Sequence, residues 1–480
     1  MSNKDTIDSE AEIPKAAWGD LFRDGRGIYS TLVVLGVCLH ALQILVIAIV
    51  MPTVVADIGG ADYYTWPAML YTIGSILGAA CVGPLWAWLG VRKGYGASAL
   101  AFLVGTVGCA LSPDMLSLNI ARGVQGLASG LVVGGGMALV SGLFAENLRK
   151  RVLAAYQGTW MVAQLLGPVM GGLFAQIGWW RGSFWSMVPI ILVFAVIALK
   201  YLPDHLPNEN EAEKKIHIPL LRLLILSSGV FCVALAGRSG DIQFIAPMIA
   251  GAVFLIWLAF KLDRQAENKM YPARALSIFS PVGLALWIML LVGMVHTTVP
   301  LLLPLLLQVV HGVDPIWVSL VSLVISGGWT VGTFAVSGWS GRKEIFALWA
   351  GPLLMMVGLA GVAITATEPL LVVLVFASFV MGFGMGIQNV HLIARTMAAA
   401  EKGEERITSS AMPSIRSLGT AFGAATAGLV TNLAGLGTAT TPEEVGPAVT
   451  ASYSFNMIPL IIAALMMFWL LRLTRDKPDG

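Results

Sequence analysis

Charge is scarce in this sequence. Asp, Glu, Lys and Arg supply only 12% of its 480 residues, while hydrophobic types supply 57%. A soluble domain carries about one quarter charged residues, so a water-facing globular protein is excluded and an integral membrane protein is expected. Cysteine is rarer still. Cys38, Cys81, Cys109 and Cys232 all lie inside apolar runs with no CxxC or histidine-paired spacing. Neither a disulfide nor a metal centre is expected, and each reads as a small apolar packing residue. Long polar stretches are also missing. None between the apolar runs is long enough to fold as a soluble domain, which removes a signalling module. The net charge of +2 gives no basis for a nucleic-acid partner. Residues 1–27 are polar, mixed in charge and without an apolar core, so they read as a loose cytoplasmic tail and not as a signal peptide.

What is present is apolar sequence in span-length pieces. Crossing ~30 Å of hydrocarbon takes ~20 mostly apolar residues. Fourteen segments qualify, at 30–55, 65–89, 94–112, 115–145, 152–177, 183–202, 217–236, 242–262, 281–309, 315–338, 345–366, 369–395, 407–434 and 449–472. The seventh and eighth are short and carry Arg222 and Lys261 near their ends, and twelve spans would remain if these two formed a re-entrant hairpin. Lys and Arg fall on alternate connections: Arg92–Lys93, Arg149–Lys150–Arg151, Lys200 with Lys214–Lys215, Lys261 to Arg274, Arg342–Lys343, and Lys402 with Arg406. The other side has only Arg181 and Arg238. By the positive-inside rule both termini are cytoplasmic, in a multi-pass protein of the inner (plasma) membrane.

The two longest charged inside stretches, 203–216 and 263–280, bracket spans seven and eight. The expected organisation is a cytoplasmic N-terminal tail (1–28), a six-helix bundle (29–202), an insert of cytoplasmic loops and two helices (203–280), a second six-helix bundle (281–472) and a short cytoplasmic tail (473–480). Glycines four apart on the spans put small residues on one helix face and bring backbones close.

The absence that bears most on function is acidic. Every Asp and Glu falls in a tail, a loop or within a few residues of a span end. What remains ionisable at depth is Arg122, Arg416, His40 and His296, with His391 and Arg395 nearer the inner face. Arg122 lies ~10 Å of helix rise inside span four, where an unpaired charge costs at least ~2.5–3.5 kcal/mol. Its structural alternative is an arginine capping carbonyls. His40 lies near the midplane beside Gln43, and an unperturbed imidazole, titrating near pH ~6.5, is able to carry a proton. A lone histidine in an apolar helix also serves as a polar packing residue. No nucleophile, base and carboxylate cluster occurs, the nearest approaches being "SLNIARGV" and "QNVHLIAR". An enzyme is therefore not expected, nor any cofactor.

Several stretches resemble a known family. "GPLWAWLGVRKGY" resembles the inter-helix signature Gly-x-Leu-Ala-Asp-Arg-x-Gly-Arg-Lys of the major facilitator superfamily, matching at Gly83, Leu85, Gly90, Arg92 and Lys93. Ala87 replaces the usual Asp, and Trp88 the usual Arg. "NIARGVQGLASG" resembles the Arg-x-x-Gln-Gly signature through Arg122, Gln125 and Gly126. "LLGPVMGGLFAQIGWWRGSFW" resembles the antiporter signature Gly-Pro-x-x-Gly-Gly through Gly167, Pro168, Gly171 and Gly172, followed by the matching Trp180, Arg181 and Phe184. "LLLPLLLQVVHGVDP" and "SSAMPSIRSLGTAFG" look like the fourteen-span drug:proton antiporter branch at Gln308, Gly312, Arg416 and Gly419.

The resemblance implies an all-α membrane fold: two six-helix bundles related by pseudo-symmetry plus two extra central helices, fourteen spans in all, working by alternating access. It implies a small-molecule substrate bound near the midplane, protons as the coupling ion, and coupling through Arg122. The loop motif (Gly83, Gly90, Arg92, Lys93) and the span-five motif (Gly167, Pro168, Gly171, Gly172) would gate the cycle. The branch usually carries an Asp in its first span, where this chain has "HALQILVIAIVMP". The candidates for substrate binding or proton coupling are then Arg122, His40, Gln43, His296, Gln308 and Arg416. Without the loop Asp the inner latch would weaken, with Trp88 packing at the interface in its place. The expected function is proton-coupled export of a neutral or anionic amphiphile by a monomer. The alternative is an importer or uncoupled facilitator of an organic anion.

Overall fold

The computed structural model of the protein describes residues 18–21, 23, 25–205 and 219–475. Most of the two terminal tails, and Lys214–Lys215 of the central insert, lie outside the described residues. The described part of the N-terminal tail is not loose. Residues Trp18–Leu21 form a short turn that buries Leu21, whose carbonyl accepts from Ser30 Oγ at 3.3 Å.

Among the described residues the chain is all helix. The first half contains α1 (Arg26–Ile58), α2 (Trp66–Ala80), α3 (Val82–Leu89), α4 (Val91–Leu111), α5 (Met115–Leu143), α6 (Glu146–Gln176), α7 (Arg181–Trp185) and α8 (Val188–Tyr201). A hairpin of α9 (Leu220–Ala236) and α10 (Ile242–Gln265) follows. The second half contains α11 (Pro281–Leu305), α12 (Pro315–Val336), α13 (Arg342–Thr365), α14 (Leu371–Ala398), α15 (Glu405–Leu433), α16 (Pro442–Phe455) and α17 (Met457–Arg475). A π turn (Leu306–Val310) extends α11.

Each of the fourteen expected segments is helical. Eleven described helices are long and apolar enough to cross a membrane, or twelve if α2 and α3, bent by 52° at Cys81, make one span. The fourteen-span count thus rests on two weaker members. At 17 residues α9 is short, and α15 is diluted by Arg416 and a run of Ser and Thr.

The packing repeats. In the first half α1 lies on α6, α2 on α5, and α4 on α5 and α8. In the second α11 lies on α15, α12 on α14, and α13 on α14 and α17. Glycine fixes the register. A Cβ on Gly126 would fall onto the backbone of Tyr71, and one on Gly130 onto Ser75. Likewise Gly382 meets Ile325 and Gly386 meets Trp329. These contacts are close because the small residues carry no side chain, the usual device where lipid supplies no hydrophobic drive.

The halves meet through α6 with α12, α2 with α15, and α1 with α11. The hairpin is appended through α9, which touches α15 and α2. Its open ends are held by a buried ion pair between Arg222 and Asp263, in which Arg222 also donates to Asn268 and Asp263 accepts from the amides of Met270 and Tyr271.

Candidate functional site

Two ends of the bundle can be told apart: the terminal end, where α1 starts and α17 finishes, and the opposite end. Hydrogen bonds that join the halves stand at the opposite end. Gln308 Nε2 donates to the carbonyl of Ile49 at 2.9 Å, and Asn432 Nδ2 to that of Asp62 at 2.6 Å. The span-five glycines serve the same closure. A Cβ on Gly167 would lie 2.7 Å from Leu45 Cβ and one on Gly171 2.9 Å from Ile49 Cβ, both on α1. One on Gly172 would lie 2.6 Å from Ser319 Oγ of α12. Beside Pro168, α6 thus touches its own half on one face and the other half on the next.

The loop motif sits at the terminal end. Gly90 turns the chain between α3 and α4 at φ 79°, a left-handed value that glycine adopts without strain. Arg92 donates to the carbonyl of Leu202 at 2.6 Å and pairs with Asp204 at 3.5 Å. A carboxylate from beyond α8 therefore meets Arg92 of the motif whose usual loop acid is missing. Gly83 lies within α3, and Lys93 is exposed. Trp88 does not pack at an interface: it is 81% exposed. The packing is done by Trp86, buried edge-on against Tyr95, because a helix turns residues two apart to nearly opposite faces.

His40, Gln43 and Arg122 come together in the first half. Arg122 is fully enclosed. Its Nε donates to the Pro67 carbonyl at 3.1 Å, its Nη1 to Gln125 Oε1 at 2.5 Å and its Nη2 to the Gln43 carbonyl at 3.4 Å. Gln125 passes the contact on to Thr106 Oγ1 at 2.9 Å. The guanidinium lies 4.2 Å from the centre of the Tyr71 ring. The charge is thus dispersed over carbonyls and a π face, with no carboxylate among these partners.

His40 stacks on the same ring, with the centroids 5.6 Å apart. Its Nδ1 lies 2.7 Å from Ser129 Oγ and 3.1 Å from the Tyr71 hydroxyl, and Tyr71 donates to Ser129 at 2.7 Å. Trp160 of α6 closes the far side, edge-on at 5.9 Å. His40 touches three other helices and keeps part of its surface accessible.

The second half carries a counterpart. His296 lies on α11, the equivalent of α1, at nearly the same distance from the helix start. It meets Trp329 edge-on at 4.9 Å, and its buried Nδ1 has no partner. Arg416 is 5.9 Å over the same indole and donates to Asn389. A crevice lined by Met289, Val292, Gln388, Asn389, Leu392 and Arg416 opens beside it. Gly126 abuts Tyr71 as Gly386 abuts Trp329. Ser129 and Asn389, each three residues further on, are the polar groups at the two sites. Tyr71, Ser129, Trp329 and Asn389 were not among the residues singled out from sequence. The only signal able to find them was this shared glycine register. His391 is buried with Nε2 unpartnered, and Arg395 is taken by Glu344 at 2.7 Å.

The sequence profile of the Major Facilitator Superfamily matches residues 33–424. The chain belongs to the Major Facilitator Superfamily. Among similar members, a probable multidrug-efflux transporter of Mycobacterium tuberculosis is 29% identical over 437 residues, covering 89% of this chain and 92% of the relative. The dehydrocurvularin exporter of Aspergillus terreus is 25% identical over 372 residues, covering 73% and 64%. The superfamily fold is matched by the Escherichia coli xylose transporter in a partially occluded inward open conformation, with TM-score 0.60, 15% identity, and 94% and 99% of the chains covered. It is matched also by a peptide transporter in complex with sulfate, with TM-score 0.66, 15% identity, and 98% and 99% covered. As a superfamily member the chain is a membrane transporter, and the repeated halves and paired interfaces are its transport scaffold.

Proposed function

We propose that this transporter exports small neutral or anionic amphiphiles from the cytoplasm in exchange for protons, with His40 in the place of a membrane carboxylate. The observation that carries the reading is the His40 cluster. Ser129 and Tyr71 hydroxyls both accept and donate, so Nδ1 can be served whether it bears a proton or a lone pair, with rotation of O–H bonds alone. The imidazole keeps part of its surface accessible, and no described acid competes for the proton. Relatives named as multidrug-efflux transporters and as an exporter support the outward direction.

The terminal end carries most of the described Lys and Arg, which supports a cytoplasmic location for it under the positive-inside rule. The inter-half bonds of Gln308 and Asn432 then close the outer side, and the protein faces inward. In the outward-facing state His40 takes a proton. After the halves rock about α6, His40 releases that proton inward, and cargo is drawn to the midplane. Arg416, half-buried on its crevice, supplies positive potential without a balancing acid, which favours anionic or neutral cargo. Arg122 stiffens the His40 site from behind Tyr71. The protein works as a monomer.

A second reading, an importer or uncoupled facilitator of an organic anion, is favoured by the lack of any described Asp or Glu in the middle of a helix. One experiment separates the two. Inverted vesicles holding a proton gradient are given anionic, neutral and cationic amphiphiles while a pH-sensitive dye is followed. Collapse of the gradient by anionic or neutral compounds, lost in His40→Gln, is the expected result. Substrate crossing without collapse in the wild type would establish the facilitator instead.

A further inference from the structure

The appended hairpin ends in a cavity of ≈ 410 Å³ that the transport cycle above does not use. It lies at the terminal end, between the last turn of α10 and the segment 271–279 that leads into α11. Its lining includes Phe260, Asp263, Arg264, Tyr271, Arg274 and Phe279. Asp263 is already neutralised by Arg222 and two backbone amides. Arg264 is exposed and has no hydrogen bond or ion pair among the described residues. Arg274 holds Glu401 at 3.4 Å in a pair that is 66% and 53% exposed, and neighbouring Glu404 accepts from the Ala273 amide. An exposed pair of this kind is weak and exchangeable.

The surroundings mark the level of the cavity in the membrane. On the outward face of α10, Lys261 Nζ stands 4.7 Å over the ring of Trp257, which is 51% exposed. An aromatic body with an adjacent snorkelling cation is the pattern of the bilayer interface. Phe279 is 76% exposed beside the cavity mouth, with Ile278 and Leu276 next to it.

We propose that this cavity binds the headgroup of an anionic phospholipid. The phosphate is taken by Arg264 and by Arg274, which exchanges Glu401 for a bidentate partner, and the acyl chains lie on Leu276, Ile278 and Phe279. A free phosphate would use the same two arginines but has no use for the apolar rim. The lipid would bridge the hairpin to the second half, since Tyr271 of the lining also meets Ser414 Oγ of α15 at 3.1 Å.

The test is native mass spectrometry of the full-length protein released from bilayers of equal parts phosphatidylcholine and phosphatidylglycerol. The wild type should retain phosphatidylglycerol selectively. Arg264→Gln with Arg274→Gln should weaken that retention by about tenfold, ~1.4 kcal/mol, while Lys343→Gln at the same end leaves it unchanged. The charge-conserving Arg264→Lys with Arg274→Lys should recover part of it, which separates headgroup recognition from a misfolded variant. Equal retention in wild type and the glutamine variant would overturn the site. Displacement of the lipid by millimolar inorganic phosphate would make it a free-anion site and overturn the lipid.

Discussion

The hydroxyl of Tyr71 lies 3.1 Å from Nδ1 of His40. The face of the same ring is stacked 4.2 Å from the Arg122 guanidinium, so one side chain contacts both the buried cation and the imidazole. Tyr71→Phe keeps the ring and the stacking but deletes the hydroxyl that serves both Ser129 and His40. The protein should remain folded, destabilised by about 1 kcal/mol. Substrate-driven proton release should fall by about three- to tenfold, with its pH profile displaced. An unchanged pH profile in proteoliposomes would remove the cluster from the proton path.

Arg122 caps two carbonyls and the Gln125 amide oxygen without a carboxylate. Arg122→Ala leaves those acceptors buried and unpaired, and should cost about 1–3 kcal/mol. Arg122→Lys should recover little, because an ammonium lacks the planar fork. Thermal unfolding of the solubilised protein reads both, and a lysine variant as stable as wild type would contradict the capping role.

Gly172 faces α12 across the interface. Gly172→Val places side-chain atoms where Ser319 and Pro315 already stand, prising the opposite end apart. Cysteines at Thr65 and Gly428, which face each other at that end, should cross-link efficiently in the wild-type background and several-fold less in the valine variant. Equal yields would show that α6 can shift without opening the halves.

The Arg222–Asp263 pair is buried, with side chains 9% and 3% exposed. Arg222→Ala strands the carboxylate and should cost about 3–5 kcal/mol. Arg222→Met combined with Asp263→Leu should regain most of that loss. A double variant as unstable as the single one would mean that the amide bonds of Met270 and Tyr271 dominate.

Asp114 begins α5, accepting from the Ser117 amide at 2.8 Å. That bond holds its carboxyl below the usual range. A depressed folded pKa stabilises above the unfolded value and is lost as pH falls through the folded one. Asp114→Ala should therefore lower the unfolding midpoint at neutral pH, and the gap from wild type should close in acid below the ordinary carboxylate range. A gap independent of pH would assign the effect to backbone propensity alone.

Much of the helix order was legible in the sequence because span length is a strong constraint. The segment expected at 115–145 is Met115–Leu143, and that at 242–262 is Ile242–Gln265. The limits of that reading are physical. Trp86 and Trp88 are equivalent by composition, and only the helix phase of a short bent segment decides which is buried. Asp204 lies more than a hundred residues from Arg92, so the carboxylate that pairs with it carries no local signal. Tyr71, Ser129, Trp329 and Asn389 look like ordinary helix residues until Gly126 and Gly386 set the two halves in one register.

The bonds from Gln308 to Ile49 and from Asn432 to Asp62 stand at one end of the bundle, while at the other end Ala87 stands where the motif carries a charge and Trp88 is left exposed. Such an asymmetry biases the dwell time. Under the proposed orientation, a transporter latched at that end spends its idle periods with the binding site presented to the cell interior, so a scarce cargo meets a vacant carrier on first encounter. Turnover is then set by how quickly the halves return after release.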